Sequence, residues 1–312
     1  MATQTRVREQ LLNVVLAPGS TAEAAFRSTV LAPGFEADAS LDLHYLGGKT
    51  IPQLTFTNVY LGAWNGNDRE HLDQALAAAL ADPHLNNVLA QYFPDTTIGS
   101  TFAGSRTDGA RLPGRVYRDT VEGIVSALDL TGLDLASSVV CLMLPRGAVL
   151  VDGTSRGGDD QHVDSKHGLG GYHGSVHVRE TETVYYAVGV YSEGSNGVVA
   201  FDKPWKNVCA TFYHELCEVR TDPDVEDAIR AGATPGAERL LGWYSPRGGE
   251  IGDIPMREAE PDVSLVMREV PLADGSGTVP IQLMWSNAVD GPEGPISRPH
   301  SSSIGPRMRR GR

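Results

Sequence analysis

The chain has 312 residues, a formal net charge of −13 and an ordinary globular composition, 41% hydrophobic and 21% charged. That length buries a substantial core in one large domain or two small ones. The acidic balance argues against nucleic acid, whose phosphates need a basic surface, and no apolar run reaches the length of a membrane span.

With 35 glycines and 19 prolines the chain calls for many turns rather than a helical bundle. Residues 1–40, rich in Ala, Thr, Gly and Pro with weak periodicity, read as a peripheral arm. Over 54–61, Leu54, Phe56, Asn58 and Tyr60 alternate with Thr55, Thr57 and Val59, the period of a core strand. Asn67 is expected to cap a helix, with Glu70 completing a capping box and Leu72, Ala75, Leu76 and Ala79 facing inward. Asp82-Pro83 starts a second helix, with Leu85, Val88, Leu89 and Tyr92 inward. After a Gly-rich turn, Val121, Ile124, Val125 and Leu128 give 119–128 a helical stripe.

Buried strands are expected at 139–144 and 148–151, around a Pro145-Arg146-Gly147 turn. Residues 153–171 form a Gly/Asp/His loop too polar to pack, and strands follow near 172–179 and 184–191. A buried helix runs from about 204 to 219 and is ended by Thr221-Asp222-Pro223. Short strands at 263–270 and 279–285 precede a disordered basic tail over 296–312. Alternation of strands and helices, followed by strands clustered before the last long helix, predicts an α/β (α+β) mixed sheet with that helix packed on it.

The helix carries the chemistry. His214-Glu215-Leu216-Cys217-Glu218 places His214 and Glu218 four residues apart, so both can address one ion. Glu215 stands where the H-E-x-x-H zinc peptidases keep their general base, and a glutamate replaces the second histidine. Val208, Phe212, Leu216 and Val219 form the core stripe, leaving Thr211 on the ligand side. One helix supplies two ligands, so a third must come from elsewhere. Gly248-Gly249-Glu250-Ile251-Gly252-Asp253 is the best source: Glu250 as third ligand, Asp253 as a ligand or as the partner that orients His214. One imidazole with two or three carboxylates favours zinc first, with manganese and calcium as alternatives. Against this stands the bland reading: an isolated H-E-x-x-E match is more often a salt-bridged helix face than a site.

Four further histidines precede the helix. His162 and His167 read as solvated loop residues, whereas His173, bracketed by Gly171 and Gly174, sits where backbone must approach closely, as a metal ligand or transition-state donor. His177 shares its strand face with His173 and has the weaker claim. Cys141, Cys209 and Cys217 read as reduced, buried thiols, Cys217 lacking a base of its own. Trp243-Tyr244 and Trp285 read as core packing. No P-loop, dinucleotide fingerprint or nucleophile elbow is present.

Several motifs, in their order, resemble the exordium (phosphate-induced protein) family of plant cell walls and its bacterial relatives. They include Leu43-His44-Tyr45-Leu46-Gly47-Gly48, Leu61-Gly62-Ala63-Trp64, Val149-Leu150-Val151-Asp152-Gly153, Gly171-Tyr172-His173-Gly174 and His214-Glu215-Leu216-Cys217-Glu218. Gly242-Trp243-Tyr244, Glu250-Ile251-Gly252-Asp253 and Gln282-Leu283-Met284-Trp285-Ser286-Asn287 complete the set, which spans roughly 40–290. The resemblance raises the weight on His173, His214, Glu215, Glu218, Glu250 and Asp253. It also implies an extracellular protein, whereas the chain shows no secretory signal and carries no paired cysteines near Gly171, which points to the cytoplasm. The strand-then-helix order is similar to the zincin arrangement, which implies a zincin-like single domain over 41–295.

The function expected is a metal-dependent hydrolase acting on peptide or amide bonds. His214, Glu218 and Glu250 would hold the ion, Glu215 would act as base and His173 would steady the oxyanion, with an edge strand near 184–191 binding substrate. The partner is a peptide or small-molecule substrate, with neither nucleic acid nor membrane; oligomeric state is not legible. A binding or signalling protein with a structural ion, and a small-molecule pathway enzyme using the same metal, are the competing readings.

Overall fold

Five strands make one mixed sheet in the computed structural model, which describes residues 31–109, 111–155, 163–179 and 182–300. They are β1 (Gln53–Leu61), β2 (Gly99–Asp108), β3 (Ser138–Met143), β4 (Gly171–Arg179) and β5 (Glu182–Gly189). Their order across the sheet is β2-β1-β3-β5-β4. The first four in that order run parallel, and β4 closes the edge antiparallel to β5. β3, at the centre, is buried throughout, as a strand covered on both faces must be.

Successive residues of these strands feed two cores, because side chains alternate across a sheet. Phe56, Tyr60, Cys141, Met143, Tyr185 and Ala187 face one side, where α1 (Gly66–Ala81) and the helix α4 (Pro204–Thr221) pack. Val59, Leu61, Val140, Leu142, Val184 and Tyr186 face the other, against α3 (Arg118–Ala127). The remaining α-helices among the described residues are α2 (Pro83–Leu89), α5 (Val225–Ala231) and α6 (Asp253–Ala259). A hairpin of β6 (Met267–Pro271) and β7 (Thr278–Gln282) lies against the far side of α4. The expected mixed α/β class is therefore what the chain adopts.

The stripe Val208, Phe212, Leu216 and Val219 is fully buried, and burial of each such side chain is worth about 1.5–3 kcal/mol. Gly189 makes room for it: a Cβ there would stand 2.8 Å from the Phe212 ring. The helix ends at Thr221, as the Thr-Asp-Pro sequence implies, with Thr221 Oγ1 donating back to the Cys217 carbonyl at 3.1 Å. All three cysteines are buried and free.

Four expectations need correction. The cap of α1 is Asn65, whose side chain accepts from Asn67 N, so the helix starts before the expected cap and Glu70 takes no part in a capping box. β2 has no counterpart in the expected elements; as the opposite edge strand, with a partly exposed pattern and Gly104 at φ 106°, it lacks the apolar alternation that marks a strand. The segment 263–270 opens as a 3-10 turn over Val263–Leu265 before β6 begins. Finally, β5 is no edge: it pairs with β3 on one side and β4 on the other, so the edge of the sheet is β4.

Residues 1–30, most of the expected N-terminal arm, lie outside the described residues, as do His162 and the end of the basic tail from 301. Of the arm, Ala32 N donates to the Pro292 carbonyl at 2.9 Å and Asp38 N to Asp290 O at 2.8 Å. Of the tail, Ile296 is buried, and its N–H donates to the His84 carbonyl at 3.0 Å.

Candidate metal centre

The His-Glu segment lies within α4, where the helix passes β4. His214 is fixed from behind. Its Nδ1 lies 2.8 Å from Gln282 Oε1, while Gln282 Nε2 donates to the Gly252 carbonyl at 2.6 Å. Because the amide nitrogen is committed to that carbonyl, the Gln282 oxygen accepts, and the network assigns the His214 proton to Nδ1. Nε2 then faces Glu218 Oε2 at 3.1 Å and Asp253 Oδ1 at 3.9 Å. Gly252 lies flat against the ring: a Cβ there would stand 2.5 Å from His214 Nδ1.

Glu218 is divided between two tasks. Its Oε1 accepts the backbone N–H groups of Gly252 and Asp253, both at 3.1 Å, at the start of α6. Its Oε2 faces His214 and, at 3.5 Å, His173 Nδ1. His173 comes from β4 and is buried; its Nε2 lies 3.2 Å from the Asp222 carbonyl, which can only accept, so the proton sits on Nε2. Nδ1 then points at Glu215 Oε2, also at 3.5 Å. Glu250 stands on the other side of the His173 ring, its Oε1 at 3.6 Å from Nε2, buried and without a hydrogen-bond partner.

Two groups of three thus converge, with ligand atoms within 4.8 Å of one another: His214, Glu218 and Asp253, and His173, Glu215 and Glu218. Two atoms each about 2.0–2.2 Å from one tetrahedral ion lie roughly 3.3–3.6 Å apart. The separations of 3.1, 3.5 and 3.9 Å bracket that value. Each histidine also ties its outer nitrogen to a protein acceptor, as metal-bound imidazoles do. The residues present therefore fit a divalent ion. Of the two candidates from the glycine-rich segment, Asp253 joins His214 and Glu218, whereas Glu250 sits beside His173.

Without an ion, protons balance these charges. Burial opposes the charged form of His214, but the Glu218 and Glu215 carboxylates outweigh it and push the imidazole up to about 10. His173 is likewise held well above the usual histidine range, against burial, by Glu250, Glu215 and Glu218. Burial raises Glu215, and raises Glu250 far above a normal carboxyl. For Glu218 burial is overcome by His214 and His173, and its carboxyl stays below the usual range. The Glu218 charge and burial lift Asp253 to about 6, and burial lifts Asp222 to about 7.

A cleft of about 180 Å³ opens on this cluster, lined by His214, Glu215, Asp253, Gln282 and Thr211, with Met256 and Met267 giving it an apolar wall. Thr211 Oγ1 is buried there without a partner. His173, Glu218 and Glu250 lie behind the cleft lining. His167 and His177 are exposed, the latter paired with Asp227 at 2.9 Å, in keeping with their bland readings. Sequence reasoning did not foresee Gln282 and the Asp222 carbonyl. Gln282 stands in one of the quoted motifs, but nothing in the sequence links it to His214, 68 positions away.

No family model matches the chain. No curated protein matches it either. A solved structure similar to it is that of metalloproteinase-II from Bacteroides fragilis, 10% identical, with a TM-score of 0.27, covering 67% of this chain and 48% of that one. The chain thus spans about half the length of that protein. These comparisons do not show the exordium family, and the chemistry of the site rests on its own geometry. Among the described residues no helix is long and apolar enough to cross a membrane.

Proposed function

We propose that the protein is a metal-dependent hydrolase of peptide or amide bonds, working in the cleft beside His214. The observation that carries this reading is that Glu215 lines the same cleft as His214 and Asp253, the ligand groups whose free atoms face one another. His214, Glu218 and Asp253 would hold the ion, with zinc favoured by the imidazole and manganese or calcium by the carboxylates. A divalent ion bound there supplies a Lewis acid that makes water ionise near neutral pH. Glu215 takes the proton from the attacking water as the water oxygen bonds to the carbonyl carbon. When the C–N bond breaks, that proton passes from Glu215 to the leaving nitrogen, giving a carboxylic acid and an amine.

His173, behind Glu215, serves to position that carboxylate rather than to reach a substrate oxygen. The Gly171 end of β4, which lines the cleft, offers main-chain groups to an extended substrate, whereas further along the Ser175 N–H is taken by Glu226. The antiparallel edge strand beside the metal helix supports a zincin-like reading.

The test is turnover of a peptide and amide panel by metal-loaded protein. Glu215→Gln is expected to keep its metal and lose activity by about 10²–10⁴-fold. Metal-loaded wild type that turns over nothing in the panel would instead favour a binding protein with a structural ion.

A further inference from the structure

Glu215, Glu218, Glu250 and Asp253 crowd around two histidines, and among the described residues none of the four forms an ion pair with Lys or Arg. Asp253 is the exposed member of the four; the other three are buried, where a carboxylate must be paired with protons or with cations. The second group, His173 with Glu215 and Glu218, is buried in full, whereas the first is partly open. Within it, His173 Nδ1 stands 3.5 Å from each carboxylate, beyond a good hydrogen bond and at the spacing of two ligands on one ion. Its other nitrogen is tied to the Asp222 carbonyl. The buried Glu250 Oε1 lies at 3.6 Å from Nε2, on the opposite side of the ring from this ligand group.

We infer that the centre takes two divalent ions, the second held by His173, Glu215 and Glu218, with Glu218 Oε2 shared between them. The shared atom is available because Glu218 Oε1 is occupied by the Gly252 and Asp253 N–H groups. The two histidines fall in different ligand groups, so one ion does not serve both. Glu215 meets the second ion through Oε2, while its Oε1 lies on the side of Gly171, a cleft-lining residue, and stays free to accept a proton. The inference uses the ligands of the function proposed above, but it concerns ion number and not turnover.

The experiment is to strip the full chain with a chelator, reload it with manganese or zinc, and count bound ions by elemental analysis after dialysis. Two ions per chain are expected for wild type and one for His173→Gln, with the manganese form showing an exchange-coupled electron paramagnetic resonance signal only at the second equivalent. The spectroscopic measurement is made on wild type and does not depend on the variant folding. One ion per chain, lost in His214→Ala and kept in His173→Gln, overturns the second position and leaves the hydrolase reading intact. No ion at all overturns both.

Discussion

Gly252 lies against the His214 imidazole so closely that a methyl group on it would sit 2.5 Å from Nδ1, inside any van der Waals contact. The same residue accepts from Gln282 through its carbonyl and donates to Glu218 through its N–H. Gly252→Ala must therefore displace the ring or the loop. We expect metal affinity to fall by about 10–100-fold, with a stability loss of about 1–3 kcal/mol. Competition with a chromophoric zinc chelator, beside a urea titration, measures both; unchanged affinity would refute the role given to this contact.

Gln282 fixes which His214 nitrogen is free. Gln282→Leu removes the acceptor at 2.8 Å and lets the ring turn or change tautomer. A loss of roughly 10–100-fold in zinc affinity is expected, with Gln282→Glu recovering only part of it: a carboxylate still accepts from Nδ1 but has no N–H for the Gly252 carbonyl. Equal affinity in the Leu variant and wild type would remove Gln282 from the site.

Metal-free and metal-loaded protein should respond differently to pH. In the metal-free chain Asp222 is raised to about 7 by burial, and Glu215 and Glu250 are raised as well. The folded state then binds more protons than the unfolded state above a pH of about 4, so stability falls as pH rises through that window. His214, pushed up to about 10, acts in the same sense: its contribution is full below about 6.5 and is lost as pH climbs through its folded value. Metal binding needs these groups deprotonated, so the ion's stabilisation grows with pH. Thermal melts at pH 5 to 9, with and without chelator, should show Tm falling in the chelated samples and the gap between the two curves widening. Asp222→Asn should flatten the chelated curve near neutral pH; parallel curves would contradict the scheme.

Arg220 is fully buried, with no carboxylate in an ion pair among the described residues, and donates to Asn86 Oδ1 at 3.1 Å and to the Gly99 carbonyl at 2.9 Å. It ties the last turn of α4 to α2 and to the start of β2. Arg220→Ala strands both acceptors and opens a cavity, and we expect a loss of about 3 kcal/mol or more in chemical denaturation. A change below about 1 kcal/mol would mean that the bonds are replaced by water.

Much of this arrangement is legible in the residues because it rests on local rules. The stripe Val208, Phe212, Leu216 and Val219, the Asp82-Pro83 helix start and the Thr221-Asp222-Pro223 stop all announce themselves within one turn of chain. The convergence of His173, His214, Glu215, Glu218, Glu250 and Asp253 was also within reach, because glycines flank the members that lie off the helix. The rest depends on register. Nothing in the β4 and β5 sequences says which of the two adjacent strands is outermost, so the edge is not legible there. β2 hides because a one-sided edge strand can dispense with the apolar alternation that reveals its neighbours. Asp253 outranks Glu250 near His214 because the turn at Gly252 decides which carboxylate reaches forward, and a turn's direction is not written in spacing.

A glutamate in the last position of His214-Glu215-Leu216-Cys217-Glu218 has an effect that a histidine could not reproduce. An imidazole bound to an ion keeps a single N–H and can only donate from it, whereas the Gly252 and Asp253 amides need an acceptor. Glu218 provides one oxygen for the amides and one for the cation, so capturing the ion and seating the segment that carries Asp253 are mechanically one event. Restoring the familiar H-E-x-x-H pattern by Glu218→His would complete a motif on paper and cut the tether that brings a ligand to it.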